Sequence, residues 1–118
     1  MRIHHLALLT EDPARLARDY ADTFGLPIAR EHTDAQGVRA VWFDLGGTLL
    51  MIERGARQGK PGQGRGLDGL FLAAEPGSGP AWAARLGDRV TGRTAYTLYA
   101  TDADGNRVGV SSYPHALG

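Results

Sequence analysis

The feature that most limits what this chain can fold into is an internal echo. Ile3-His4-His5-Leu6-Ala7-Leu8-Leu9-Thr10-Glu11-Asp12-Pro13 returns as Asp68-Gly69-Leu70-Phe71-Leu72-Ala73-Ala74-Glu75-Pro76. In register, Leu6 matches Leu70, Leu8 matches Leu72 and Glu11 matches Glu75, while His5 falls opposite Gly69. A unit that recurs once within 118 residues makes two half-size modules within a single domain. Neither half has enough apolar surface to stand alone, so the halves are expected to close over one another or over a partner chain.

The first half reads as strand, helix and three strands. Ile3 to Leu9 is a short, mostly apolar strand run. Asp12 followed by Pro13 starts a helix, because Asp caps free amides and Pro is tolerated at the first helical position. Leu16, Tyr20 and Phe24 recur at helical spacing, Gly25 ends the helix and Pro27 blocks its continuation. Strands are expected at Ile28 to Thr33, Val38 to Leu45 and Thr48 to Glu53. The second half repeats the order, with a strand at Gly69 to Ala74 and a short helix at Pro80 to Leu86. A brief strand at Arg89 to Thr91 and longer ones at Thr94 to Ala100 and Arg107 to Ser112 follow. Module 1 spans about residues 1–54, a Gly/Arg-rich connector about 55–67 and module 2 about 68–118. The fold class is therefore α+β, with two βαβββ modules forming a cupped mixed sheet and helices on its convex side.

Gly46-Gly47 is a two-residue hairpin signal, and it fixes a register. Asp44 then faces Leu49, Phe43 faces Leu50, Trp42 faces Met51, Val41 faces Ile52 and Ala40 faces Glu53. Opposed residues share a face and successive residues alternate. Val41, Phe43, Leu45, Leu50 and Ile52 form an apolar face suited to the helix. Trp42, Leu49, Met51 and Glu53 project to the other side. An indole and a thioether beside one acid make a wall for a flat or aromatic molecule. By the same alternation Phe71 shares the face of Gly69, and Ser111 that of Gly109. Trp82 reads as packing, His4 as facing away from His5, and His32 and His115 receive no role.

Composition excludes several classes. Formal net charge is zero, which argues against nucleic acid as the main partner. No cysteine is present, so thiolate catalysis and thiolate metal sites are absent. The chain reads straight into a strand without a leader, and no apolar run approaches the roughly 20 residues that span a bilayer. A cytoplasmic protein with no membrane partner is expected. Asp102, Asp104 and Gly105 lack the rest of a calcium loop and read as turn chemistry.

Taken together, the motifs resemble the vicinal oxygen chelate superfamily, which includes glyoxalase I, extradiol dioxygenases, fosfomycin-resistance enzymes and bleomycin-resistance proteins. The residues that carry the resemblance are Ile3-x-His5-Leu6-Ala7-Leu8 with Asp12, Phe24-Gly25-Leu26, Leu50-Met51-Ile52-Glu53, and Thr101-Asp102-Ala103-Asp104-Gly105-Asn106-Arg107-Val108. The resemblance implies that each module of a metal-dependent member offers a His on its first strand and a Glu on its last. His5 and Glu53 stand at those positions in the first half, whereas Gly69 and Gly109 replace them in the second.

With half of that set gone, the expectation is no cofactor. His5 and Glu53 would be the residues to hold a divalent metal, with Asp68 or Ser111 as a conceivable third oxygen. The expected activity is binding without turnover: a homodimer of the bleomycin-resistance type that sequesters a bulky, partly aromatic antibiotic or metabolite. Trp42, Leu49, Met51 and Phe71 would give apolar contact, His5, Glu53 and Ser111 polar contact, and Gly69 and Gly109 would leave space for the ligand. One alternative is a metal-free isomerase, cyclase or hydrolase using Glu53 or His5 as acid or base. Another is a metal-dependent glyoxalase- or dioxygenase-like enzyme with an incomplete ligand set.

Overall fold

The computed structural model describes residues 1–56 and 69–118, and most of the expected connector, together with Asp68, lies outside the described residues. The chain divides into two compact units, Met1–Gly59 and Lys60–Gly118. Each carries a four-stranded mixed sheet with a helix, an α+β architecture in which βαβββ occurs twice. Among the described residues no helix is long and apolar enough to cross a membrane.

In the first unit, β1 (His5–Thr10), α1 (Pro13–Phe24), β2 (Ile28–Asp34), β3 (Gly37–Asp44) and β4 (Leu49–Arg54) follow in order. Asp12 caps α1 by accepting from the Arg15 amide at 3.1 Å, Pro13 opens it, and Gly25 closes it in the left-handed conformation at φ 67°. Sheet order is β1-β4-β3-β2, with β1 parallel to β4 and the other pairs antiparallel. The β3–β4 register is the one the glycine pair implies, from Asp44 opposite Leu49 to Ala40 opposite Glu53. Gly46 and Gly47 take positive φ at 82° and 107°, and the Asp44 carboxylate accepts from both of their amides at 2.9 and 3.0 Å. Val41, Phe43, Leu50 and Ile52 are buried, as are Leu16, Tyr20 and Phe24 of α1, which packs on β3 and β4. Burial of such side chains stabilises by about 1.5–3 kcal/mol each.

The second unit holds β5 (Leu70–Ala73), α2 (Gly79–Leu86), a single 3₁₀ turn (Gly87–Arg89), β6 (Val90–Arg93), β7 (Thr97–Thr101) and β8 (Arg107–Ser111). Its order, β5-β8-β7-β6, repeats the first, again with the outer pair β5–β8 parallel. Leu86, Leu98, Ala100, Val108, Val110 and Leu117 form its core, and α2 packs on β7. The β7–β8 loop is organised by the buried Asp102, whose carboxylate accepts from the amides of Asp104 and Asn106 and from the Asn106 side chain, all at 2.9 Å. This is the turn chemistry expected of Asp102-Ala103-Asp104-Gly105-Asn106. The strand expected at Thr94 starts at Thr97 instead. The Thr94 hydroxyl accepts from the Tyr96 and Thr97 amides, a local turn that competes with extension.

Candidate functional site

The face of the first sheet turned away from α1 carries the residues the hairpin register selects. Met51 lies between Trp42 of β3 and Ala7 of β1 in one cross-strand row, and Glu53 lies between Ala40 and Leu9 in the next. Strand β2 extends both rows, with Arg30 beside Trp42 and His32 beside Ala40. His32 and Trp42 meet edge to face with ring centroids 4.7 Å apart. Trp42 Nε1 and His32 Nε2 are both buried, and neither has a hydrogen-bond partner among the described residues. His32, given no role by its sequence context, is thus part of this site. Register shifts on either side of β2's central residues hide it from simple alternation.

His5 and Leu49 lie at the far end of this face, directly opposite each other. The His5 Nδ1 atom is 3.0 Å from that of His4, and the two rings meet edge to face, so one imidazole donates and the other accepts. The expectation that His4 turns away from His5 is therefore corrected: His4 precedes the first strand residue and is free of its alternation. Asp34, at the end of β2, is held by Arg54 of β4 through two contacts of 2.8 and 3.1 Å. Arg54 also donates to Gln36 and to the Val38 carbonyl. The guanidinium lowers the Asp34 carboxyl below its ordinary range, with the Gln36 amide assisting.

In the second unit, Phe71, Gly109 and Tyr99 form one row across β5, β8 and β7, and Gly92 of β6 extends it. Phe71, Thr97, Tyr99 and Ser111 line an open depression of about 290 Å³. The Phe71 and Tyr99 rings are perpendicular at 5.5 Å, and the Arg107 guanidinium stands 4.3 Å over the Tyr99 ring and 5.9 Å over that of Phe71. The Thr97 and Ser111 hydroxyls are hydrogen-bonded at 2.8 Å. The sequence alone does not mark Thr97, Tyr99 or Arg107 as site residues. Alternation outward from Gly109 signals them only once the β7–β8 register is fixed, and the loop through Asp102 does not fix it as a two-residue turn does.

The reading of Gly69 and Gly109 as open space is corrected. A Cβ on Gly69 would lie 3.0 Å from the Phe71 ring and 2.8 Å from the Arg107 carbonyl oxygen. A Cβ on Gly109 would also lie 3.0 Å from that ring and would run into the Leu98 carbonyl oxygen. The volume the glycines release is occupied by Phe71 and by close main chain, not left for a ligand.

These residues do not fit a metal centre. With β1 parallel to β4, His5 pairs with Leu49 and Leu9 pairs with Glu53, so His5 and Glu53 stand four residues apart along the strands. That is about 13 Å at the usual rise, with side chains projecting roughly perpendicular to the sheet. Ligands of one zinc ion lie about 2.0–2.2 Å from it. Gly69 and Gly109 offer no donor, and among the described residues no group of three or more His, Asp or Glu could hold an ion.

No family model matches the chain, and no curated protein matches it by sequence. Solved structures do match. Lactoylglutathione lyase from Agrobacterium tumefaciens is 22% identical, with 93% of this chain and 92% of that one covered and a TM-score of 0.66. A possible glyoxalase from Bacillus cereus is also 22% identical, covering 94% and 98%, at a TM-score of 0.72. A mutant of the fosfomycin-resistance protein FosX from Listeria monocytogenes, complexed with Mn(II) and 1S,2S-dihydroxypropylphosphonic acid, is 13% identical. It covers 94% and 91% at a TM-score of 0.73. The expectation of no cofactor is corrected to this extent: a FosX neighbour of the same architecture is complexed with Mn(II), although His5 and Glu53 of this chain do not stand together as ligands of one ion. Repeated βαβββ units and near full-length superposition on glyoxalase and FosX structures give this chain the fold of the vicinal oxygen chelate superfamily.

Proposed function

We propose that the protein binds and sequesters a bulky, partly aromatic small molecule, an antibiotic or a metabolite, and so confers resistance to it. The observation that carries this reading is the pair of buried nitrogens on His32 and Trp42, without a hydrogen-bond partner among the described residues, in the cross-strand rows of Glu53 and Met51. An unsatisfied buried polar group costs about 1–3 kcal/mol, so the site is primed for a molecule that brings a complementary polar atom. Trp42 and Met51 supply the apolar contact that holds its ring. The resistance role draws support from the fosfomycin-resistance proteins among the structural neighbours. Leu49 and His5 extend the apolar and polar parts of this wall.

The test is a titration of tryptophan emission in the full chain with a panel of aromatic antibiotics, followed by mass analysis of each recovered compound. Quenching that is lost in Trp42→Phe, with the compound recovered intact, supports the reading. A chemically altered compound accumulating beyond one equivalent refutes sequestration. It would favour a second reading, acid–base catalysis by Glu53, which shares a cross-strand row with His32 across the small Ala40. Product formation that survives Glu53→Gln would rule that out.

A further inference from the structure

We infer that the open face of the second sheet is a seat for a planar aromatic group bearing an anionic oxygen. This inference rests on the ligand-binding reading above and names a ligand class for the second sheet. Phe71 is the centre of the seat. Its ring covers the two positions that lack a Cβ, Gly69 and Gly109, with ring carbons 3.0–3.1 Å from where those atoms would be. A ring supported from below by main chain is held flat, yet Phe71 remains 37% exposed. An aromatic surface so presented stacks with another ring in offset or edge-on geometry. Tyr99 stands perpendicular to it and closes one side.

Charge selects among aromatic ligands. Among the described strand residues on this face, Arg107 carries the one formal charge, and it is positive. Its position over Tyr99 and near Phe71 puts that charge at the border of the aromatic surface. The paired Thr97 and Ser111 hydroxyls line the same depression and add polar hydrogen-bonding capacity. A cavity of about 290 Å³ is at the lower limit of small-molecule sites and suits a bicyclic ring. A cationic ligand is disfavoured by Arg107, and a purely aliphatic acid does not use Phe71.

The experiment is a ¹H–¹⁵N titration of the full chain with three probes: 2-naphthoate, its neutral amide 2-naphthamide, and decalin-2-carboxylate. The expected result is saturable shifts at Phe71, Thr97, Tyr99 and Ser111 with 2-naphthoate. Affinity should fall about tenfold in Phe71→Leu. Arg107→Gln should weaken 2-naphthoate and leave 2-naphthamide unchanged, and it decides the matter if Phe71→Leu does not fold. Equal affinity for decalin-2-carboxylate, or 2-naphthoate binding unaffected by both variants, overturns the inference. If 2-naphthamide moves the Trp42 indole while 2-naphthoate leaves the second sheet untouched, the seat is refuted and the ligand-binding reading stands. If no probe shifts either face, both fall.

Discussion

Replacing Gly109 with Ala isolates the part of the site most changed by the structure. The added methyl would meet the Leu98 carbonyl oxygen of β7 and lie 3.0 Å from the Phe71 ring. The ring, supported from below, can only lift toward its exposed side, but the carbonyl belongs to the β7–β8 ladder and cannot move without breaking sheet pairing. Overpacking in a core costs about 1–3 kcal/mol, and a main-chain obstacle in a central strand puts this substitution at about 3. Removing a glycine from the unfolded chain returns about 0.5 kcal/mol, leaving a net loss of about 2.5. At roughly 4 °C or more per kcal/mol for a domain near this size, Tm should fall by about 10 °C or more. Gly92 is the control: it lies in the same cross-strand row, a Cβ there meets nothing within 4 Å, and its φ is not positive. Gly92→Ala should leave Tm unchanged or raise it slightly. Thermal melts followed by circular dichroism measure both. If Gly109→Ala melts within about 2 °C of the parent, where a net loss near 2.5 kcal/mol should show clearly, the glycines do not serve close packing under Phe71.

Other outcomes follow from the same structure. Arg54 lowers the Asp34 carboxyl below its ordinary value of 3.8, so the contribution of that carboxylate is complete above that pH and is lost as pH falls through the lower folded value. Asp34→Asn should therefore flatten the acid limb of a stability–pH curve below about pH 4 and leave the slope near neutrality unchanged, as read by urea unfolding. Asp102→Ala strips acceptors from two loop amides and the Asn106 side chain and should destabilise by about 2–4 kcal/mol in urea titrations, with Asp102→Asn milder. Gly46→Ala and Gly47→Ala each force a Cβ into a left-handed backbone and should cost about 1–2 kcal/mol by the same assay.

How far the sequence speaks differs between the two units. Asp12-Pro13, Gly25 and the Gly46-Gly47 turn are local signals whose physics does not depend on the rest of the chain. They define α1 and the whole β3–β4 register, and so they place Trp42, Met51 and Glu53 on one face. His32 escapes notice because two register shifts interrupt the alternation of β2. The motif pairs His5 with Glu53, but the parallel β1–β4 register separates them, and no local signal encodes that register. In the second unit the glycines are visible in the sequence. What fills them is not, because Phe71 reaches Gly109 only through the parallel pairing of β5 with β8.

The central claim, that the His32–Trp42 pair, whose buried nitrogens have no hydrogen-bond partner among the described residues, marks a ligand site, is tested most directly by the indole N–H resonances. The chain has two tryptophans, Trp42 and Trp82. On titration with 2-naphthamide, which carries a carbonyl acceptor, the Trp42 indole N–H should move downfield and saturate while that of Trp82 stays in place. A Trp42 resonance that does not move at millimolar probe, or one that drifts together with that of Trp82 without saturating, contradicts the claim.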